Sequence, residues 1–268
     1  MVAGVKVKRF CFLSSFLGII ALMSGHSHFA TIKRQKAAND AAKGNLFSKL
    51  ARAIMIAAKA GADPDMNYKL RFEIDKARTA GMPKDNIERA ITKATTEAAN
   101  LEEISYEGFG PGGIGVVIEV LSDNKNRTAQ EIKNLFDRAG GSMGGPNSVA
   151  FNFESKGFMV VGKTDDSDAQ MLELIDAGAE DIEDVGSEFE VYVSPDKLGQ
   201  MNKALASKGF EIKETELRLI PKNLVSITDT SVASKIIKFL DEVESHDDVQ
   251  KVFTNADISE EVINSIGS

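Results

Sequence analysis

Residues 114–141 read IGVVIEVLSDNKNRTAQEIKNLFDRAGG and join an apolar run to a helical pattern. The run from Ile114 to Leu121 is rich in β-branched residues, which predicts a buried strand. Thr128 and Glu131 have the spacing of a capping box, which marks the first turn of a helix. The Gly-Gly pair at the end of the stretch favours termination of that helix. A strand followed directly by a helix indicates a domain in which helices pack on a sheet.

The chain beyond this stretch repeats the alternation of strands and helices. Residues 149–161 are predicted to form a hairpin around Ser155-Lys156-Gly157, and residues 168–219 read as helix, two strands, helix and strand. Residues 224–256 read as strand, helix and strand. A split β-α-β unit requires the order β-α-β-β-α-β. Residues 105–163 supply only β-α-β-β, and residues 224–256 supply the missing helix and strand. The segment between them is therefore predicted to be an inserted third domain.

The chain before this stretch shows helical periodicity. Apolar residues recur at three- and four-residue steps, namely Leu46, Phe47, Leu50, Ile54 and Ala58. Gly44-Asn45 predicts a break between two helices within residues 29–60. A third helix is predicted over residues 67–80, and Pro83 can open a fourth at its first position. Residues 95–103 are predicted to be a polar linker, so the preceding part forms an all-helical unit.

Charge divides the chain into a basic and an acidic part. Residues 23–100 contain 14 Lys and Arg against 8 Asp and Glu, whereas residues 101–268 contain 15 against 32, within a net charge of −8. A basic segment on an acidic chain indicates a polyanionic partner, and a solvated helical face is the alternative. Few aromatic residues accompany the cations, so we expect contacts to phosphates rather than to base edges.

The first 22 residues, MVAGVKVKRFCFLSSFLGIIAL, place three basic residues before an apolar run from Phe10. This pattern is typical of a secretory leader, and the alternative is a misassigned start codon upstream of Met23. We favour the second interpretation, because the family resemblance described below begins at Met23. Cys11 is the single cysteine, which excludes a disulfide within the chain and a zinc site built on thiolates.

Two glycine motifs match nucleotide-binding patterns. Residues 157–164, GFMVVGKT, match GxxxxGK[ST], but the four middle residues favour a strand over a phosphate-binding loop. A nucleotide-dependent enzyme that uses Gly162, Lys163 and Thr164 is the corresponding alternative. The glycines of residues 106–113, YEGFGPGG, precede a strand, whereas a dinucleotide fingerprint follows one. We interpret them as a hinge or as a site of close backbone approach.

Four stretches of the chain resemble the YebC family of probable transcriptional regulators, which also contains mitochondrial translational activators. They are MSGHSHFATIKRQKAANDAAKG at 23–44, LRFEIDKARTAGMPKDNIERAI at 70–91, YEGFGPGGIGVVIEVLSDNKNRT at 106–128 and AGGSMGGPNSVAFNFESKG at 139–157. The resemblance implies an α+β fold with an N-terminal helical domain followed by two ferredoxin-like α/β domains, the third inserted into the second. The expected domains are a misassigned start or leader at 1–22, a basic helical domain at 23–100, a ferredoxin-like domain at 101–163 plus 221–268, and an inserted α/β domain at 164–220.

The resemblance also implies a non-enzymatic, cytoplasmic regulator of gene expression that binds nucleic acid without a cofactor or metal. DNA is one target, and ribosomal RNA on the ribosome is the other. The basic helical face supplies the expected phosphate contacts, with a second set of cations elsewhere: Lys33, Arg34, Lys36, Lys43, Lys49 and Arg52, then Lys84, Arg89, Lys125 and Arg127. A protein-interaction module that uses the acidic α/β faces is a further alternative.

Overall fold

The computed structural model describes residues 40–94 and 101–266, and its first part consists of three helices. They are α1 (Asp40–Ala58), α2 (Tyr68–Thr79) and α3 (Lys84–Lys93). Ile54, Leu70 and Ile74 are buried where these helices meet. The Asn67 side chain accepts the Leu70 amide and caps α2, which confirms the helix predicted there. The periodic apolar positions of the sequence therefore form the core of this helical unit.

Helix α1 runs without interruption through Gly44 and Asn45, where the sequence pattern predicts a break. The Asn45 side-chain amide donates to the carbonyl oxygen of Ser245 at 2.9 Å and to Oδ1 of Asp247 at 2.7 Å. Contacts to another element hold this residue in the helix, and tertiary packing overrides a weak local preference. The earlier part of the predicted first helix, residues 29–39, lies outside the described residues.

A four-stranded antiparallel sheet follows the helices, and its strands are β1 (Glu102–Phe109), β2 (Gly115–Ser122), β3 (Ser142–Met143) and β9 (Val249–Thr254). Their order across the sheet is β3-β1-β2-β9. The sequence pattern predicts no strand before Ile114, and this prediction is wrong. The β1 segment has a weak strand propensity, but it pairs with β2 along its whole length, and this pairing overrides the propensity. Gly108 is required in β1, since a Cβ there would lie 2.6 Å from the Ser142 carbonyl oxygen.

Helices α4 (Lys125–Arg138) and α7 (Thr230–Glu244) pack on this sheet. The rings of Phe136 and Phe239 are buried between them, with centroids 5.0 Å apart. The capping box predicted at Thr128 is wrong, because Asn124 caps α4 by accepting the Arg127 amide. The Thr128 hydroxyl instead lies 2.6 Å from a carboxylate oxygen of Asp248.

The glycine-rich turn between β1 and β2 is a site of close backbone approach. Gly112 has a φ of 72°, and a Cβ on it would lie 2.8 Å from a methyl group of Val232 on α7. The amide of Gly110 donates to the carbonyl oxygen of Ile114 at 2.8 Å. These contacts support the interpretation of the YEGFGPGG glycines as a site of close backbone approach.

Residues 153–222 form a compact unit with a sheet of their own, called the inserted unit below. Its elements are β4 (Phe153–Gly162), α5 (Ser167–Asp176), β5 (Asp181–Asp184), β6 (Glu188–Val193), α6 (Leu198–Ser207) and β7 (Ile212–Pro221). The β-α-β-β-α-β order and the antiparallel strand arrangement β5-β6-β4-β7 make this unit ferredoxin-like. Together with the helices and the first sheet, it gives the chain an α+β fold.

The inserted unit begins earlier than the boundary that the sequence pattern predicts at residue 164. Residues 150–152 form a short 3₁₀ turn, and β4 is one ten-residue strand that pairs with both β6 and β7. The predicted hairpin across residues 149–161 is therefore wrong. The partners of β4 come from later in the chain, and local sequence does not reveal such non-local pairing.

The GxxxxGKT match at residues 157–164 has no loop that could surround phosphates. Residues Phe158–Val161 are buried in the centre of β4, and the strand continues to Gly162. Lys163 pairs with Asp184, and its ammonium lies 4.8 Å from the centroid of the Phe189 ring. The structure therefore contradicts the nucleotide-binding alternative, because a phosphate loop needs curled backbone between strand and helix.

After the inserted unit, the chain returns to the unit that it left, called the first unit below (residues 40–152 and 223–266 of the described chain). Strands β8 (Val225–Ile227) and β10 (Ala256–Ile258) pair in parallel, and α8 (Glu260–Ile266) ends the described chain. The side chains of Asn152 and Asn223 hydrogen bond at 2.9 Å where the chain departs and returns. No helix within residues 40–94 and 101–266 is long and apolar enough to cross a membrane.

Glu107 on β1 fixes the turn that follows β3. Its buried carboxylate accepts backbone N–H groups from Asn147 at 2.7 Å, Val149 at 2.8 Å and Ala150 at 2.7 Å. Burial opposes ionisation of Glu107, but these three donors outweigh it and hold its pKa below the ordinary value. They also hold Asn147 at a φ of 63°, a left-handed conformation that is uncommon outside glycine.

We expect Glu107→Gln to reduce the free energy of unfolding by about 1–3 kcal/mol at pH 7, because an amide presents an N–H group to backbone donors. Urea denaturation measures this loss, and Glu102→Gln, at an exposed position of the same strand, is the control. The difference from wild type should shrink as the pH falls through the lowered pKa of Glu107, since its stabilising charge is then lost. A difference that grows on acidification would contradict this account.

Candidate nucleic-acid interface

Helices α2 and α3 carry exposed cations whose partners are also at the surface. The Lys84 side chain is 82% exposed, and its ammonium lies 3.4 Å from a carboxylate oxygen of Glu88 one turn along α3. Arg89 is exposed and donates to the side chain of Asn86. Exposed pairs of this kind contribute little to stability, about 0–1 kcal/mol. Both cations therefore remain accessible to a competing anion.

The predicted phosphate contacts at the start of the chain fall partly outside the described residues. Lys33, Arg34 and Lys36 lie in the part of the chain that is not described. Lys43 belongs to α1 by its backbone, and its side chain is also outside the description. Lys125 is exposed at the first position of α4.

Lys49 differs from the sequence expectation. Its side chain is buried, and its ammonium donates to the carbonyl oxygen of Glu244 at the end of α7. A cation at the carboxyl end of a helix is favourable, because the terminal carbonyl groups carry partial negative charge. Lys49 thus holds α1 against α7, and it does not belong to the phosphate-binding set.

Arg52 and Arg127 converge on one buried carboxylate. Arg52 Nη1 lies 2.5 Å from Oδ1 of Asp248, and Arg127 Nη2 lies 2.8 Å from Oδ2. The Asp248 side chain is 3% exposed, whereas those of Arg52 and Arg127 are 27% and 43% exposed. Arg52 also donates to the carbonyl oxygen of Asp247. The structure thus joins a cation of the helical unit to one of α4 through a shared anion, which we call the Asp248 clamp.

The surroundings of the Asp248 clamp keep its carboxylate ionised. Burial opposes ionisation of Asp248, but hydrogen bonds from Thr128 and Arg127 and the charge of Arg52 hold its pKa below the ordinary value. The hydrogen bond to Asp248 is the main reason that the pKa of Arg127 is raised. Asp248 and Arg127 therefore stay charged at neutral pH.

A groove of about 850 Å³ opens beside the clamp, within the first unit. Its lining mixes both signs of charge and includes Arg52, Arg127, Arg138, Glu131, His246 and Asp247. The described contacts of Arg52 use one nitrogen of its guanidinium, so other N–H donors remain for a ligand. Carboxylates in the same groove would repel a polyanion, so the groove is less suited to phosphate than the exposed cations of α3 are.

Glu131, His246 and Asp248 present ligand atoms within 4.8 Å of one another, which is a spacing suited to a metal ion. Each of these atoms is already engaged. His246 Nδ1 accepts the Asp248 amide, and its Nε2 lies 3.0 Å from Glu131. Two guanidinium groups also occupy the oxygens of Asp248, and their charge disfavours a cation. The group fits a hydrogen-bonded clamp better than a metal centre.

Sequence reasoning missed Asp248, Thr128 and Asn45 as residues that fasten α1 and α4. Asp248 stands in an acidic run that reads as a solvated surface, and its burial depends on an arginine almost 200 positions earlier. No local pattern indicates these contacts, and the capping-box spacing at Thr128 predicts a different role for its hydroxyl. Lys84 and Arg89 both belong to α3, and Arg52 and Arg127 lie together at the clamp.

We expect Asp248→Asn to lower the free energy of unfolding by about 1–3 kcal/mol, because it leaves two arginines without their counter-charge. This loss is smaller than the loss expected when a fully buried ion pair is broken, because both arginines are partly exposed. Urea denaturation at pH 7 measures it, with the exposed Asp257→Asn as control. If the two variants unfold alike, the Asp248 clamp does not stabilise the first unit.

Comparison with known proteins gives a consistent result over most of the chain. A model described as the TACO1/YebC protein N-terminal domain matches residues 27–97, and one described as the TACO1/YebC second and third domain matches residues 101–256. A protein of Dictyoglomus turgidum named probable transcriptional regulatory protein is 45% identical over 91% of this chain and 100% of its own length. A protein of Methylacidiphilum infernorum with the same name is 45% identical over 90% of this chain and 98% of its own length.

A solved structure agrees with these matches. The crystal structure of a conserved hypothetical protein from Aquifex aeolicus is 39% identical in sequence and superposes with a TM-score of 0.77, covering 87% of this chain and 98% of that one. The resemblance noted in the sequence is thus confirmed by two domain models, by curated relatives and by a structure. The chain belongs to the TACO1/YebC family.

Proposed function

We propose that this protein is a non-enzymatic regulator of gene expression that binds nucleic acid through phosphate contacts of its helical unit. Curated relatives that match 91% of this chain over their own whole length carry the name probable transcriptional regulatory protein, which supports a role in regulation. The proposal places this activity in the cytoplasm, and it requires no cofactor. Binding rather than catalysis is its central claim.

The observation that carries the proposal is the accessibility of Lys84 and Arg89 on α3. Their partners are exposed groups of the same helix, so a phosphate can replace those partners at small energetic loss. Polyanion binding also gains from the release of condensed counterions. Lys33, Arg34 and Lys36 extend the same basic character toward the start of the chain.

The acidic remainder of the chain orients such binding. Residues 101–268 have a large excess of Asp and Glu, which repels a phosphate backbone and favours approach of the helical unit. This charge division suits a protein that contacts a polyanion on one side only. It does not suit a protein that coats duplex DNA from every direction.

DNA and ribosomal RNA are both compatible with phosphate contacts. The names of the relatives refer to regulation of transcription, which is compatible with DNA as the target. Contacts made by lysine and arginine carry no base sequence by themselves, so RNA in the ribosome would present equivalent groups. The same lysines and arginines would contact either target. Only the identity of the nucleic acid recovered with the protein can therefore distinguish DNA from ribosomal RNA.

We expect affinity for a duplex oligonucleotide to fall as salt rises, with a log–log slope of about −0.9 for each phosphate bound. Lys84→Ala with Arg89→Ala, and separately the triple change of Lys33, Arg34 and Lys36 to Ala, should flatten the slope by about one unit for each phosphate that the variant no longer binds. Fluorescence anisotropy across a salt series measures both. Lys197→Ala with Lys203→Ala, at exposed positions of the inserted unit, is the matched control.

An unchanged slope in both variant sets would remove these residues from the interface. If the slope of the control pair flattens as much as that of the Lys84 and Arg89 variant, net charge governs binding and the helical surface does not. Circular dichroism before the titration verifies that every variant is folded.

Crosslinking in cells followed by sequencing of the attached nucleic acid should identify the target. We expect the wild-type protein to recover one class of nucleic acid, and the Lys84 and Arg89 double variant to recover several-fold less of it. Sedimentation with ribosomes at controlled salt then separates the two targets. Recovery with DNA alone rejects the ribosomal version, and failure to recover any nucleic acid contradicts the proposed function.

A further inference from the structure

Helix α5 of the inserted unit has two apolar faces. Leu174 and Gln170 are buried against the sheet, as expected for a helix that packs on one side. Leu172 is nevertheless 64% exposed and Ile175 is 38% exposed. At 3.6 residues per turn, Leu172 lies about 160° around the helix from Leu174. The core of the inserted unit therefore does not account for Leu172 and Ile175.

The exposure of this face does not result from loose packing of α5. The Gln170 side chain accepts the Thr164 amide and donates to the carbonyl oxygen of Gly162, each at 2.8 Å. Asp166 caps the helix by accepting the Ala169 amide. These contacts fix the rotation of α5, so Leu172 and Ile175 are held toward solvent.

Acidic residues surround the exposed pair. Asp168 and Asp176 lie four residues before and after Leu172, which places them about 40° to either side of it. Residues 165–176 contain five Asp and Glu and no Lys or Arg. Lys208 pairs with Glu173 at 2.8 Å, but no cation of the described chain lies within ion-pair distance of Asp168 or Asp176. The face is thus apolar at its centre and negative at its border.

We propose that this face, defined by Leu172, Ile175, Asp168 and Asp176, docks a basic amphipathic segment of a partner protein. Leucine or a similar residue of the partner would cover the exposed pair, and its lysines or arginines would meet the two aspartates. An apolar stripe with complementary charge at its border is the usual requirement for a helix-binding surface. This surface is separate in sequence from the cations assigned to nucleic acid.

The charge of the face distinguishes this partner from two others. A nucleic acid would bring phosphates toward Asp168 and Asp176, and would be repelled. A second copy of this chain that paired the same faces would bring aspartates toward aspartates, since a two-fold contact repeats each patch on both sides. A cationic protein segment satisfies both the apolar and the charged part.

The test uses a fluorescently labelled peptide, about 14 residues long, of leucine and lysine in helical spacing. Two matched peptides replace every leucine by glutamine or every lysine by glutamate. We expect the first peptide to bind, and Leu172→Ser with Ile175→Ser to weaken it by about tenfold. Asp168→Asn with Asp176→Asn should weaken binding by about threefold and reduce its salt dependence. Leu224→Ser, at another exposed leucine, should leave the affinity unchanged.

The proposal is overturned if the Leu172 and Ile175 variant binds the peptide as wild type does, or if the glutamate peptide binds equally well. It is also overturned if wild type self-associates and this variant does not, because the occupant is then a second copy. Substitution at exposed positions should preserve the fold, and thermal melting verifies this. Nucleic-acid affinity is measured on the same variants, and we expect it to be unaffected.

Discussion

The Asp248 carboxylate is the contact on which the arrangement of the first unit depends. A buried carboxylate is strongly unfavourable unless cations and hydrogen-bond donors surround it. Here the donors come from α4 and from α1, so neutralising one charge also positions the helical unit on the sheet. Lys49 and Asn45 add contacts from α1 to the end of α7 and the turn beyond it. Cations of α1 therefore serve the fold as well as the surface.

The sequence predicts those features that depend on local periodicity. Ile54, Leu70 and Ile74 recur at helical spacing, and they form the core of the helical unit. The alternation of strands and helices also indicates an insertion. Features that depend on distant partners were not predictable. Lys49 lies off the apolar stripe of its own helix and therefore reads as exposed, but its partner is the carbonyl group of Glu244. The boundary at residue 153 likewise depends on the pairing of β4 with strands that follow it.

The division of charge has a physical meaning for recognition. Exposed cations of α3 and exposed acids of α5 lie on separate units of the chain, and each repels the partner suited to the other. The two proposed partners, a polyanion and a basic protein, therefore have separate candidate sites along the chain. Within the first unit, acids and cations at the Asp248 clamp pair mainly with one another, so this part of the surface favours neither partner.

The position of the inserted unit affects the order in which the chain can fold during synthesis. All four strands of its sheet have left the ribosome once Pro221 has, whereas the first sheet still lacks β9 until Thr254 follows. The earlier strands of that sheet must wait, with apolar residues such as Val116 and Ile118 uncovered. The Asn152–Asn223 hydrogen bond brings together the two chain segments that must meet before closure. Premature release at this stage would expose an incomplete sheet edge, which is the condition under which nascent chains aggregate.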